Sequence, residues 1–231
     1  MPDSPAAPGG RHPGGTRIVF VAGTGTEVGK TWAAAGLARL LKGSGLAVAA
    51  NKPVQSYDPN TGDPTDAEVL AAATGQDPDT VCPPDYSYPV PLAPPMAAGK
   101  LQRACPTLDE MASNCRFAAT VDVGLVEGVG GLYSPIASDG HNLDLVERIQ
   151  PDLVIVVASA ELGGIHDAMA CTLPLSAFDR AVFCNRFDSR TEVHGLNVRW
   201  LRDTGLEVAT SLAELTEIVR THSRSRFGGG A

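Results

Sequence analysis

The chain has 231 residues, of which 43% are hydrophobic and 19% are charged, a composition typical of a globular protein with one sizeable core. Its formal net charge of -8 argues against coating nucleic acid or binding anionic lipid, because both need an excess of Lys and Arg. No run approaches the roughly 18 consecutive apolar residues of a membrane span. We therefore expect small-molecule partners, without nucleic acid or membrane.

The cysteines are odd in number, scattered, and never form a C-x-x-C pair, so reduced thiols and a cytoplasmic location are expected rather than a disulfide framework or zinc site. They are Cys82, Cys105, Cys115, Cys171 and Cys184. Residues 1–16 and 223–231 are predicted to be a flexible leader and tail. Between them, residues 17–222 are predicted to form a single domain.

Short apolar runs alternate with longer segments that suit helices. The runs lack polar alternation, which is typical of parallel strands buried on both faces. The predicted strands are 18–22, 47–51, 121–126, 153–158, 181–184 and 207–209. The predicted helices are 29–42, 66–74, 107–117, 165–176, 191–202 and 212–221. This order predicts an α/β fold in three layers, with a mainly parallel central sheet flanked by helices on both faces and ligands at the carboxyl ends of the strands.

Residues 82–95 carry six prolines and two tyrosines, too many prolines for a helix or a central strand. We expect a long ordered loop here, acting either as a lid or as a rigid connection.

Residues 23–31 read Gly-Thr-Gly-Thr-Glu-Val-Gly-Lys-Thr, between a predicted strand and a predicted helix. A phosphate needs backbone amides, a helix N-terminus, a lysine and a hydroxyl for Mg²⁺, and this run offers all four. Thr24 stands where the strict P-loop pattern has glycine. A tight turn alone would explain the glycines but not the Lys-Thr pair. The predicted nucleotide-binding residues are Gly25, Thr26, Glu27, Val28, Gly29, Lys30 and Thr31.

Lys52 ends the second predicted strand and would place a second cation near the γ-phosphate, although a lone lysine there could simply be solvated. Thr65 and Glu68 fit a capping box, which leaves Asp66 to interact with the helix dipole or to coordinate Mg²⁺. Glu127 follows a buried strand, where it would either complete the Mg²⁺ shell with Thr31 and Asp66 or face solvent from a glycine-rich turn.

A second anion site is predicted where Gly163, Gly164, Ile165 and His166 open another helix, because the first amides of a helix lack intrahelical partners. A substrate carboxylate would fit these amides. His166 would act as an acid or base, or would only form local hydrogen bonds.

Four segments, at residues 23–31, 52–56, 126–131 and 162–169, together resemble the dethiobiotin synthetase family in order and spacing. The resemblance covers residues 17 to 185 and includes the Thr-Glu pair of the first segment. It implies a P-loop NTPase fold and an ATP-dependent cyclo-ligase that forms dethiobiotin from 7,8-diaminononanoate and CO₂ through a phosphorylated carbamate. Family members are homodimers.

The resemblance also implies residue roles. Thr31, Asp66 and Glu127 would bind Mg²⁺. The residues expected in catalysis are Lys30, Lys52, Thr26 and Glu27. The substrate would contact Ser56, Gly163, Gly164, Ile165 and His166. Asn185 would read the base of ATP.

Two departures from the family leave alternatives open. His166-Asp167 replaces the usual Asn-His, and residues 208–211 replace the usual Gly-x-Ile-Pro loop near the base. A divergent paralogue that binds nucleotide as a regulatory ATPase, or acts as a synthetase on another substrate, is therefore the alternative. A cobyrinate amidase would need a glutaminase domain, and a partitioning ATPase would need a second lysine in the loop, which Gly25-Thr26 does not supply.

Overall fold

The computed structural model describes residues 15–224. Its strands are β1 (Arg17–Gly23), β2 (Val48–Asn51), β3 (Gln55–Ser56), β4 (Ser87–Tyr88), β5 (Val123–Glu127), β6 (Pro135–Ala137), β7 (Gly140–His141), β8 (Leu153–Ser159), β9 (Arg180–Asn185) and β10 (Glu207–Ala209). Its α-helices are α1 (Lys30–Gly43), α2 (Asp66–Thr74), α3 (Pro78–Val81), α4 (Pro94–Leu101), α5 (Leu108–Asn114), α6 (Asn142–Ile149), α7 (Gly164–Thr172), α8 (Glu192–Asp203) and α9 (Leu212–Arg224).

Six strands form the central sheet in the order β10-β9-β8-β1-β5-β2, and every neighbouring pair is parallel. β1 lies between β8 and β5, with Val21 beside Ile155 on one side and Glu127 on the other. Parallel pairing puts the carboxyl ends of all six strands at one edge, where a ligand site forms.

Helices cover both faces of this sheet. One face packs against α1, α2 and α9 through small and branched side chains such as Ala34, Leu70 and Leu215. The other face packs against α4, α5, α6 and α7, with α8 added beside β8 and β9. The strands are apolar on both sides because both sides are covered. The predicted three-layer α/β fold is confirmed.

All six predicted strands and all six predicted helices are present, with ends that differ by at most four residues. The prediction that residues 82–95 form a long ordered loop is wrong in part. Pro94 begins α4, because the first turn of a helix tolerates proline, and the short strand β4 in the same run pairs with β3. Helix α6 was not predicted.

The predicted leader and tail lie outside the described residues, except that residues 15–16 precede β1 and residues 223–224 complete α9. Across the described range, no helix combines the length and apolarity needed to cross a bilayer.

The five cysteines are free, and four of them are buried. Burial raises the pKa of Cys82 and Cys115 to about 12 and that of Cys184 to about 11. Cys105 is only partly buried. Because the thiolate is the reactive form, these pKa values keep the buried thiols unreactive near neutral pH.

We expect the native protein at pH 8 to react quickly with a disulfide reagent such as DTNB at Cys105 only, with the other thiols reacting after unfolding in guanidinium. Absorbance of the released chromophore gives both counts. The matched control is Cys105→Ser, which should have almost no fast-reacting thiol. A fast thiol that remains in this variant would contradict the buried placement of the other four.

Candidate active site

The site forms where the ends of three neighbouring strands meet. The phosphate loop leaves β1, Glu127 is the last residue of β5, and Lys52 directly follows β2. Because β1, β5 and β2 are adjacent in the sheet, side chains that are distant in sequence come together at its carboxyl edge. Asp66 reaches the same place from the start of α2.

The phosphate loop turns sharply between Gly23 and Lys30. Gly29 has φ 92°, and a Cβ atom there would lie 2.1 Å from Nδ2 of Asn185, so only glycine fits. Glu27 also has a left-handed backbone, with φ 58°, which is uncommon for a residue with a side chain. The Asn185 amide donates to the carbonyl of Val28 at 2.9 Å and fixes the loop to the end of β9.

Lys30 lies inside the loop, where its ammonium donates to the carbonyl of Gly25 at 2.7 Å. The residue is 7% exposed. Burial and the nearby charge of Lys52 lower the pKa of Lys30 to about 8, although Glu127 and Asp66 oppose the shift. A bound phosphate would favour its charged form, because an anion close to an ammonium stabilises that charge.

Lys52, Asp66, Glu127 and Thr31 form a compact cluster beside the loop. The Lys52 ammonium lies 2.6 Å from Glu127 Oε1, 2.7 Å from Asp66 Oδ2 and 3.0 Å from the carbonyl of Gly128. The Thr31 hydroxyl lies 2.7 Å from Asp66 Oδ1 and 2.8 Å from Glu127 Oε1. Lys52 and Glu127 are each 1% exposed, so their charges depend on these partners.

The cluster shifts the pKa of each of its charged members. Burial alone would lower the pKa of Lys52, but Asp66 and Glu127 offset it and hold that pKa above its ordinary value. Burial raises the pKa of Glu127, against the opposing charge of Lys52. Burial also opposes ionisation of Asp66, yet Lys52 and Thr31 hold the pKa of Asp66 below its ordinary value.

The same cluster fits Mg²⁺. Glu127 Oε2 is buried and has no hydrogen-bond partner within residues 15–222, so one carboxylate oxygen is left for a ligand. Asp66, Glu127 and Thr31 offer only hard oxygen donors, which Mg²⁺ prefers. Phosphate oxygens and water would complete the shell, as is usual for Mg²⁺ in phosphate sites. Among the described residues, no three His, Cys, Asp or Glu side chains are grouped to hold a metal.

The predicted capping box is present: Thr65 accepts from the Glu68 amide, and the Glu68 carboxylate accepts from the Thr65 amide. Ser56 lies on β3 beside Gln55, whose side-chain oxygen accepts from the Ala67 amide. This hydrogen bond ties β3 to the start of α2, and no hydrogen bond or ion pair among the described residues joins the Ser56 side chain to the charged cluster.

The predicted second anion site begins α7. Gly164 packs so closely on β8 that a Cβ atom would lie 2.2 Å from the Ser159 carbonyl oxygen. Its amide donates to the Glu161 carbonyl at 2.9 Å, which leaves the amides of Ile165 and His166 for an anion. The His166 side chain is exposed, and no hydrogen bond or ion pair among the described residues joins it to the phosphate loop.

A pocket of about 400 Å³ adjoins the loop, and its lining includes Gly29, Asn185 and Thr210 and Ser211 of the segment 208–211. It also includes Trp32, Phe183 and Arg186, which sequence reasoning missed. Two signals in the sequence point to it: Trp32 directly follows Thr31, and Thr210 directly follows β10 at the ligand edge of the sheet.

This fold and site define a P-loop nucleotide-binding protein. A family model described as an AAA domain matches residues 17–178. Two solved structures share the fold: a signal recognition particle receptor from Elizabethkingia anophelis (TM-score 0.52, 17% identity, covering 94% of this chain and 67% of that one) and a plasmid partition protein from Borrelia burgdorferi (TM-score 0.53, 14% identity, covering 89% and 98%).

Curated relatives narrow the class. A protein of Anaeromyxobacter sp. named ATP-dependent dethiobiotin synthetase is 34% identical over 225 residues, covering 92% of this chain and 98% of the relative. A protein of the same name from Caulobacter vibrioides is 37% identical over 147 residues, covering 62% and 67%. The chain belongs to the dethiobiotin synthetase family.

We expect Lys52→Met to lower the free energy of unfolding by about 3 to 5 kcal/mol, because it leaves the buried Glu127 carboxylate without its cation. Chemical denaturation followed by circular dichroism measures the change.

The double variant Lys52→Met/Glu127→Gln should recover part of this loss, since it also removes the unpaired charge. Lys100→Met, at an exposed lysine of α4, is the control and should stay within about 0.5 kcal/mol of wild type. Equal stability of Lys52→Met and Lys100→Met would refute the ion-pair assignment.

Proposed function

We propose that this chain forms dethiobiotin from 7,8-diaminononanoate, CO₂ and ATP. The observation that carries the proposal is a cluster in which Asp66 and Glu127 both accept from Thr31 of the phosphate loop and both pair with Lys52. Such a cluster suits phosphoryl transfer, where positioning and charge neutralisation supply most of the catalysis. Family membership supports the particular reaction.

The reaction has three steps. One amine of the substrate adds to CO₂ and loses a proton, giving a carbamate. A carbamate oxygen then attacks the γ-phosphorus of ATP, ADP leaves, and a carbamic–phosphoric anhydride forms. Finally the second amine attacks the carbamate carbon and loses a proton while phosphate leaves, which closes the cyclic urea. No step requires a covalent bond to the protein.

The two lysines would stabilise the charges that develop. Lys30 would bind the β- and γ-phosphates from within the loop, and Lys52 would neutralise the carbamate and the phosphoryl group in transfer. Thr26, Glu27 and Ser56 would line the reaction site. Thr31, Asp66 and Glu127 would hold Mg²⁺, which supplies electrostatic stabilisation of the transferred phosphoryl group.

The far end of the substrate would bind at α7. The amides of Ile165 and His166 open this nine-residue helix and favour an anion such as the substrate carboxylate. Asp167 lies in the same first turn and adds a negative charge. The electrostatic potential at these amides therefore differs from that of a site with a neutral residue at position 167.

We expect the purified protein to produce dethiobiotin and ADP from diaminononanoate, bicarbonate and MgATP, with mass spectrometry as the readout. Lys30→Ala and Lys52→Ala should each lower turnover by about a hundred-fold or more, because each removes a preorganised charge. Folded wild-type protein that makes no dethiobiotin would reject the proposal in favour of a divergent paralogue.

The proposed molecule is a cytoplasmic homodimer. Free thiols suit a reducing compartment. Helices α7 and α8 are neighbours, and four large apolar side chains on or beside them are more than two-fifths exposed, which supports a partner surface. They are Leu162, Leu173, Leu196 and Trp200.

We expect light scattering after size exclusion to give twice the chain mass of 23.9 kDa. Leu196→Glu on α8 should shift the mass toward one chain, because it buries a charge in an apolar interface. Leu40→Glu, at a similarly exposed leucine of α1, should stay dimeric. A single-chain mass for the wild type would contradict the dimer.

A further inference from the structure

The pocket beside the phosphate loop contains an exposed aromatic ring that none of the roles above uses. Trp32 is the third residue of α1, directly after Thr31, and it is 57% exposed. Trp carries a large apolar surface, and a ligand bound in the pocket would cover the exposed part of this indole. The position makes a nucleotide the natural ligand, because the pocket begins at Gly29 of the loop.

The geometry of Trp32 suits stacking. Its ring is nearly parallel to that of the buried Phe183, with an interplanar angle of 11° and centroids 6.4 Å apart. This offset pair extends the floor of the pocket outward from β9. A flat aromatic surface of this kind can accept a nucleobase on its face, whatever the pattern of donors on the base edge.

Several polar groups around the pocket already have partners. One N–H of the Asn185 amide donates to the Val28 carbonyl, which leaves its second N–H and its oxygen for a ligand. The carboxylate of Asp188 is held by Arg190 at 2.8 Å and is not part of the pocket lining. Arg186 supplies a cation, and one of its nitrogens lies 3.4 Å from the carbonyl of Glu27.

We infer that Trp32 is the specificity-determining residue of the nucleotide site, where the base stacks on its indole. Selection then follows ring area, so a purine binds more tightly than a pyrimidine. This inference rests on the proposed function only in taking a nucleotide as the ligand of the loop. It adds which part of the nucleotide is selected and by which side chain.

Tryptophan fluorescence tests the contact directly, because the chain has only two tryptophans. In Trp200→Phe, the remaining indole is Trp32, and ADP should change its emission saturably. In Trp32→Phe, the remaining indole is Trp200 on α8, and ADP should leave the emission unchanged. No change in the first variant, or the same change in both, would overturn the inference.

Calorimetric titration with ADP and CDP tests the selection. Both bases carry an exocyclic amino group next to a ring nitrogen, and any remaining difference between their edges is the same in wild type and in the Trp32 variants. Trp32→Val should weaken ADP binding roughly ten-fold and CDP binding less, which reduces the preference for ADP. Trp32→Phe should restore most of that preference, because it keeps an aromatic face.

Equal losses for ADP and CDP in Trp32→Val, or no loss for either, would refute a stacking role. Melting temperatures of wild type, Trp32→Val and Trp32→Phe separate a binding effect from partial unfolding. If Trp32→Val is destabilised, the titration of Trp32→Phe and the fluorescence of Trp200→Phe and Trp32→Phe decide. Both titrations omit diaminononanoate. Evidence that the base stacks on Trp32 therefore stands even if the protein forms no dethiobiotin. Conversely, the protein can form dethiobiotin even if Trp32 does not determine the preference between bases.

Discussion

The buried ion pair between Lys52 and Glu127 is the interaction on which the site depends. Two charges at 1% exposure are costly to desolvate, and they persist only because each finds several partners at hydrogen-bond distance. Those partners come from four places: the end of β2, the end of β5, the start of α1 and the start of α2. The pair therefore fixes the positions of these four elements relative to one another.

The sheet topology makes this convergence possible. With β1 between β8 and β5, the phosphate loop has the acidic end of β5 on one side and the end of β8 on the other. The site thus divides into a phosphate end with opposed charges and a pocket at the ends of β9 and β10 that is lined by both aromatic and polar side chains. The first end suits chemistry on charged groups, and the second suits binding of a flat apolar ring.

Family membership and individual residues carry different kinds of information. Three of the four segments shared with the dethiobiotin synthetases contribute Thr31, Lys52 and Glu127 to the charged cluster, and the fourth, at residues 162–169, begins α7. The departures lie at His166-Asp167, inside that fourth segment, and at residues 208–211. Trp32 directly follows Thr31, between the phosphate loop and the pocket.

The sequence by itself determined the parallel sheet, most helices and the phosphate loop, because apolar runs without alternation and a Gly-Lys-Thr turn are local signals. It also indicated Lys52, Asp66 and Glu127 separately, and each of the three had an alternative interpretation without a role in the site. Only the tertiary structure joined them, since their contacts, from Lys52–Asp66 to Thr31–Glu127, span 14 to 96 positions along the chain. It likewise decided that Pro94 starts a helix and that Trp32 and Phe183 share a pocket, because both depend on which elements pack together.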